Sequence, residues 1–353
     1  MTAVLLTAVL PALAEHRGGI AFHYATPLSA HELEWYSRFE VLVTHDPLPR
    51  AQVDALHRRG TKLVLYQWAV AFYATRSTKW DRALPHSALL NQRPLRGHLG
   101  AADADAFYFD PATREHQLGR AAMLGRRLRA NGYDGVFLDT TTSESVHPEA
   151  LAEFRLRHPE TTYDEAFEEF LRNLRRELRH GLIVTNQGYR SAARVLPYVD
   201  WDVTESLITY PRNGRFVFRP WNEPGDRWNS TSFLMRNLIE PVRKEFPSVR
   251  FAHINYLDAP DERSIADIVA IARLYDADAY VSLPDITQPV ESELYFLDLG
   301  EAQPRVELAA GAYRFFERGT IAVNAGGKPM RIRRGGRTIV VPPATSVIVR
   351  QTK

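Results

Sequence analysis

Eight short apolar runs recur along the first 290 residues, each closing on polar or aromatic residues. They cover residues 19–24, 40–46, 62–68, 135–139, 182–188, 200–207, 250–256 and 279–283. Short apolar runs bounded by turn residues read as buried strands. Segments of helical periodicity lie between them. Ser29, with Glu32 three residues on, forms a capping-box signature. Pro49 opens a second helix that stops at Gly60, and Pro111 opens a third that ends at Gly132, with Leu118, Ala121, Ala122, Leu124 and Leu128 on one stripe. A long helical region from Pro148 to about His180 is broken near Pro159. Helices are also expected at 191–198, 230–246 and 261–275. Eight strand–helix units over about 270 residues predict a closed (β/α)8 TIM barrel rather than an open doubly wound sheet.

Two stretches break the rhythm. Residues 72–108 and 210–228 are irregular and rich in Pro, Gly and Trp. After barrel strands, such loops would lie over the top face. From about Leu294 the pattern changes to short strands with glycine turns, at 320–327, 330–337, 338–343 and 346–350. This predicts a barrel over 15–290 and a small antiparallel, sandwich-like β domain over 294–353, too small to be stable without packing on the barrel. Residues 1–14 resemble the apolar region of a secretory signal peptide, with Ala12-x-Ala14 as the cleavage site, although no Lys or Arg precedes it. The expectation is a secreted or periplasmic protein; the alternative is a cytoplasmic one whose first residues are part of the fold. No other stretch has the roughly 20 apolar residues of a membrane span.

Composition narrows the chemistry. The 44 basic and 42 acidic residues leave a net charge of +2, so no general pull toward nucleic acid is expected. With no Cys, thiolate nucleophiles, disulfides and iron–sulfur clusters are excluded. Phosphate-binding loops and a G-x-S-x-G elbow are absent. His23, His45, His253 and Asp139 are the candidates for a metal, but H-E-x-x-H is absent and His253, two residues before Asn255, reads as a barrel-interior layer residue. No metal or other cofactor is expected, and the chain is expected to act as a monomer.

In a barrel the strand ends converge on one mouth. They supply Tyr24, His45, Asp46, Tyr66, Gln67, Trp68, Asn186, Gln187, Asn255, Tyr256 and Asp285. Amides that donate and accept, with aromatic faces, suit an oligo- or polysaccharide. Glycosidic cleavage needs two carboxyl groups, one to protonate the leaving oxygen and one as nucleophile or base. Asp139 and Glu205, on the fourth and sixth strand ends, are the best pair. Asp134, Asp200 and Asp202 begin or precede strands and read as caps or surface residues, and Glu144 as loop surface. The reading is therefore a two-carboxylate glycosidase. Its rivals are a barrel that binds glycans without cleaving them and a metal-dependent hydrolase.

Three segments occur in order: Tyr133-Asp-Gly-Val-Phe-Leu-Asp139, Val184-Thr-Asn-Gln-Gly188 and Val199-Asp-Trp-Asp-Val-Thr-Glu-Ser206. The series resembles the endo-α-1,4-polygalactosaminidase-like barrels, glycoside hydrolase family 114, and residues 62–68 resemble the preceding strand of that group. The resemblance implies a TIM barrel whose paired carboxylates are Asp139 and Glu205. Two positions depart from the family pattern: Gln67-Trp-Ala-Val70 stands where S-x-G-E is usual, and Thr140-Thr141 replaces a usual Asp.

Overall fold

The structure, a computed structural model, describes residues 16–96 and 105–350. The leader-like segment 1–14 lies outside the described residues, as does part of the first irregular loop.

All eight expected strands are present. They are β1 (Gly18–His23), β2 (Phe39–Thr44), β3 (Lys62–Trp68), β4 (Gly135–Asp139), β5 (Leu182–Asn186), β6 (Trp201–Glu205), β7 (Arg250–Tyr256) and β8 (Asp278–Ser282). They pair in sequence order, every pair parallel, as a (β/α)8 barrel requires. No ladder joins β8 to β1 among the described residues. That seam is closed instead by the Tyr24 N–H donating to the Ile286 carbonyl at 2.8 Å and the Tyr280 hydroxyl donating to the Phe22 carbonyl at 3.1 Å.

Polar groups pin the lower ends of the strands. The Asp134 carboxylate accepts from the Leu63 N–H at 2.7 Å and contacts His57 at 2.9 Å. The Asp200 carboxylate accepts from the Ile183 N–H at 2.8 Å and from Arg175 at 2.6 Å. Both match the capping role expected for them. Gly135 lets β4 and β5 approach: a Cβ there would stand 2.2 Å from the Leu182 carbonyl oxygen.

The outer helices follow their apolar periodicity. In Tyr163–Leu178, residues Tyr163, Ala166, Phe167, Phe170, Leu171 and Leu174 are buried, and Thr162 with Glu165 forms the capping box that starts the helix. The predicted break near Pro159 separates it from Pro148–Arg157. One expected stripe is out of phase. Leu118 is exposed, whereas His116 and Arg120 are buried. The first turns of that helix, Glu115–Arg120, are π-helical, and the wider turn rotates the face that meets the core.

The tail forms six antiparallel strands: β9 (Val306–Leu308), β10 (Gly311–Phe316), β11 (Gly319–Asn324), β12 (Met330–Arg334), β13 (Arg337–Val341) and β14 (Thr345–Arg350). One sheet has the order β9-β10-β11-β14, and β12 pairs with β13. Ala322, Ile332 and Val341 pack together in a small core of their own. Ala312, Phe316, Ile321 and Val323 instead belong to the same continuous apolar core as the barrel. The Ser346 N–H donates to Asp267 on the barrel helix Glu262–Leu274 at 2.9 Å.

Candidate active site

Strand register decides which side chains reach the barrel mouth, because neighbours along a strand point to opposite faces. Tyr66 pairs with Phe137 and Trp68 with Asp139 across β3 and β4, and Asn186 pairs with Val203 across β5 and β6. Ile254 of β7 pairs with Glu205. Asp139, Asn186, Glu205 and Tyr256 therefore share the inward face with Tyr66 and Trp68. The inward direction is marked by Phe137, whose ring contacts Phe22 at 5.5 Å and Tyr66 at 5.6 Å.

One nitrogen joins the two carboxylates. Asn186 Nδ2 donates to Asp139 Oδ1 at 2.8 Å and to Glu205 Oε2 at 2.9 Å. These two bond lengths bound the separation of the acceptor oxygens at 5.7 Å. The two hydrogens of a planar amide diverge by about 120°, which places those oxygens about 5 Å apart. The Tyr66 hydroxyl donates to Asp139 Oδ2 at 2.5 Å. Tyr256 hydrogen-bonds Glu205, and the Trp68 indole hydrogen-bonds the Tyr66 hydroxyl. Tyr24 lies against this group, its ring 5.4 Å from Tyr66 and 5.5 Å from His45, and His45 stacks on Tyr66 at 5.0 Å.

The electrostatics differ between the two acids. Burial pushes the Asp139 carboxyl up, while bonds from Tyr66, Asn186 and the Thr140 backbone oppose this by stabilising its anion. Burial also pushes Glu205 up, and the charge of Asp139 adds to that push; bonds from Asn186 and Tyr256 oppose it. Glu205 is therefore the better holder of a shared proton. Burial and the neighbouring carboxylates push Tyr24, Tyr66 and Tyr256 well above the usual phenol range, so they stay protonated and can act as donors.

The backbone does something unusual directly after each of these strand ends. Thr140 follows Asp139, Gln187 follows Asn186 and Ser206 follows Glu205; their φ angles are 58°, 58° and 56°. Left-handed backbone is uncommon for any residue but glycine, and most costly for a β-branched one such as Thr140. Each reversal ends its strand at once and leaves the preceding side chain at the rim. A polar cavity of about 200 Å³ lies beside them, lined by Thr140, Thr141, Thr142, Glu144, Ser145, Asn186, Gln187 and Arg190.

Other expected site residues sit elsewhere. Gln67 alternates to the outer face, where its amide donates to the Tyr66 carbonyl. Asn255 is also on the outer face and fully buried; its Oδ1 accepts from the Ile208 and Thr209 N–H groups at 2.9 and 3.0 Å and so anchors the loop after β6. Asp46 is exposed and contacts His45 at 3.3 Å. Asp285 is exposed and caps its own turn through Thr287. Gln187 borders the polar cavity rather than the carboxylates.

Two residues need correcting. His253 does not fill a barrel-interior layer: it bonds Thr204 on the outer face, and burial pushes it down to about 3. Asp202 is not a surface cap. It is fully buried, and its oxygens accept from the Gly188 N–H at 2.7 Å, the Tyr189 N–H at 2.9 Å and the Thr185 hydroxyl at 2.8 Å. Asp202 thereby holds the turn that follows Asn186. Alternation was the available signal, since it puts Asp202 on the face opposite Glu205, beneath the covering turn. Among the described residues, no three His, Asp or Glu side chains gather closely enough to hold a metal ion.

Solved structures share this architecture. The glycoside hydrolase domain of PelA from Pseudomonas aeruginosa aligns over 76% of this chain and 96% of its own length, with 20% identity and a TM-score of 0.55. The chain has a TIM-barrel fold, which it shares with that domain. Eubacterium rectale Amy13B aligns over 97% of this chain and 96% of its own length at 7% identity and a TM-score of 0.55. An Anoxybacillus α-amylase aligns over 95% and 97% at 10% identity and a TM-score of 0.50. At these identities the likeness is one of fold. No protein-family model matches the chain, and no curated protein sequence matches it significantly.

Proposed function

We propose that this protein is a retaining glycoside hydrolase acting on an oligo- or polysaccharide, with Asp139 as nucleophile and Glu205 as general acid and base. The observation that carries the reading is the Asn186 amide bridging both carboxylates, which bounds their nearest oxygens at 5.7 Å. Retaining enzymes place the two carboxyl groups about 5–5.5 Å apart, whereas inverting ones need about 6.5–9.5 Å to admit a water. The resemblance of β4, β5 and β6 to the polygalactosaminidase-like barrels picks out the same two carboxylates, and the fold is one that glycoside hydrolases use.

The steps follow from the charges. Glu205 carries the proton and gives it to the glycosidic oxygen as that bond breaks. Asp139, whose anion accepts from Tyr66 and Asn186, attacks the anomeric carbon and forms a glycosyl ester. Glu205, now anionic, takes a proton from water, which attacks the same carbon and releases Asp139. Tyr66, bonded to Asp139 Oδ2, steadies the carboxylate before attack and after release. Trp68, Tyr24 and His45 offer aromatic faces to the sugar ring.

The test is proton NMR of the first product formed from a panel of polysaccharides. Retention of anomeric configuration, lost in Asp139→Asn and Glu205→Gln, is the expected result. An inverted first product, or full activity in either variant, rejects the assignment. A folded protein that binds glycans and cleaves none would be a binding barrel.

A further inference from the structure

Two loops meet beside the carboxylates. The loop after β4 begins at Thr140, directly behind Asp139, and the loop after β5 begins at Gln187, directly behind Asn186. Both loops line the polar cavity of about 200 Å³, and Asn186, whose amide bonds both acids, is part of its wall. A cavity of about 150 Å³ holds a bare six-membered ring, so this one has room for one ring with its hydroxyl groups.

Some of the polar groups on the wall serve the loops themselves. The Thr140 hydroxyl donates to the Asp139 carbonyl at 2.6 Å, and the Thr141 hydroxyl donates to the Asn186 carbonyl at 3.2 Å. Three others do not. The Thr142 hydroxyl, the Ser145 hydroxyl and the Gln187 side-chain amide have no hydrogen-bond partner among the described residues.

Thr142 is only 3% exposed and stands at the N-cap of the turn Ser143–Ser145. A threonine hydroxyl there ordinarily accepts from a backbone N–H of the turn, as Ser29 and Thr162 do at the starts of their helices. Thr142 makes no such bond. Asp164, on the helix Tyr163–Leu178, anchors the turn instead: its carboxylate accepts from the Ser143 N–H and from the Ser143 hydroxyl, both at 2.8 Å. The Thr142 hydroxyl is thereby left to the cavity. A buried hydroxyl without a partner is costly, and a ligand hydroxyl placed against it removes that cost.

Charge sets the class of ligand. Among the described residues that line the cavity only Glu144 and Arg190 are charged, and they pair with each other at 2.7 Å from one loop to the other. An ionic ligand therefore finds no free opposite charge. The unpartnered groups, two hydroxyls and an amide, both donate and accept, as sugar hydroxyls do.

We propose that this cavity is a subsite for one uncharged sugar unit next to the cleaved bond, whose ring hydroxyls are recognised by the Thr142 hydroxyl, the Ser145 hydroxyl and the Gln187 amide. The proposal rests on the glycosidase reading and narrows its substrate class to glycans with a neutral sugar at that position.

The experiment is isothermal titration calorimetry of the full chain carrying Glu205→Gln, which blocks turnover under the glycosidase reading. The probes are maltotetraose, cellotetraose and β-1,4-galactotetraose, which are neutral, with tetragalacturonate and the glucosamine tetramer as anionic and cationic counterparts. A neutral probe is expected to bind most tightly. Adding Thr142→Val should weaken it about three- to tenfold, the worth of one hydrogen bond, whereas Thr142→Ser, which keeps the hydroxyl, should bind as the parent does. The urea midpoint of Thr142→Val should not fall, because the hydroxyl has no partner in the protein. Gln187→Asn, which tolerates the left-handed backbone and shortens the amide, should weaken the same probe and serves as a second variant. No millimolar or tighter binding of any neutral probe, preference for a charged probe, or unchanged affinity in both variants overturns the proposal. So does a lower urea midpoint in Thr142→Val with unchanged binding, which assigns the hydroxyl to the fold. Cleavage assays on the same probes, with Glu205 restored, separate the two readings. Asp139-dependent cleavage of a probe whose binding ignores Thr142 and Gln187 removes the subsite and leaves the glycosidase. Binding that depends on Thr142, without cleavage of any probe, does the reverse.

Discussion

Replacing Asn186 by Ala removes the amide that bonds both carboxylates. Two bonds are lost, at 2.8 Å to Asp139 and 2.9 Å to Glu205. The bond to the anionic Asp139 is worth about 1.5–3 kcal/mol and the one to the protonated Glu205 about 0.5–1.5 kcal/mol. A loss of about 3 kcal/mol from the transition state lowers kcat/KM about a hundredfold. The pH profile carries a separate signature. Asn186 favours the ionised form of each acid, so its removal raises both. The acid limb, where Asp139 ionises, and the alkaline limb, where Glu205 loses its proton, should both move to higher pH. The assay is initial-rate hydrolysis across pH with circular dichroism to check folding. A folded variant that loses less than about threefold in kcat/KM and keeps both limbs in place would refute the bridge as the element that fixes the pair.

Tyr66→Phe deletes the 2.5 Å bond to Asp139, so kcat/KM should fall about tenfold or more and only the acid limb should move, upward; an unmoved limb counts against the contact. Burial pushes Asp202 up to about 7, so the folded state holds that proton more tightly than the unfolded chain does. Its stabilising contribution is complete below about pH 4 and is lost as pH rises through about 7, so urea midpoints should fall across that window in the wild type and less in Asp202→Asn; identical slopes would contradict this. Gly188→Ala places a Cβ 2.8 Å from Val195 and 2.9 Å from Asp202 Oδ1 and should lower stability by about 1–3 kcal/mol in urea unfolding; no change would show that the turn yields freely. Gly135→Ala, whose Cβ meets the Leu182 carbonyl at 2.2 Å, should cost more than Gly188→Ala, and the opposite order would contradict the β4–β5 approach.

The barrel was legible because each strand is a short apolar run with its own turn residues, and parallel strands buried on both faces need no further pattern. Asp139 and Glu205 were legible as charges at the ends of such runs. Direction was harder to read. Gln67 and Asn255 look like mouth residues by position, yet one step of alternation places each on the outer face. Asn186 was expected to touch substrate; that a single amide would span both acids depends on three strands coming together, and no local pattern encodes it. The left-handed residues carry no sequence signal, since Thr140, Gln187 and Ser206 stand where glycine would have marked the turn. Leu118 was misplaced because apolar spacing assumes 3.6 residues per turn, which a π-helical turn does not keep.

The shared core of the barrel and the tail sheets bears on how the protein is made. Helix Glu262–Leu274 has apolar residues facing β8 and meets β11 and β14 on its other side, so it is sandwiched between parts of the chain far apart in sequence. During synthesis, residues 262–274 leave the ribosome well before 319–350 do. Until those later strands emerge, the flank of this helix that they cover stays exposed to water. Completion of the eighth barrel strand therefore does not complete the apolar core; that waits for the arrival of β11 and β14.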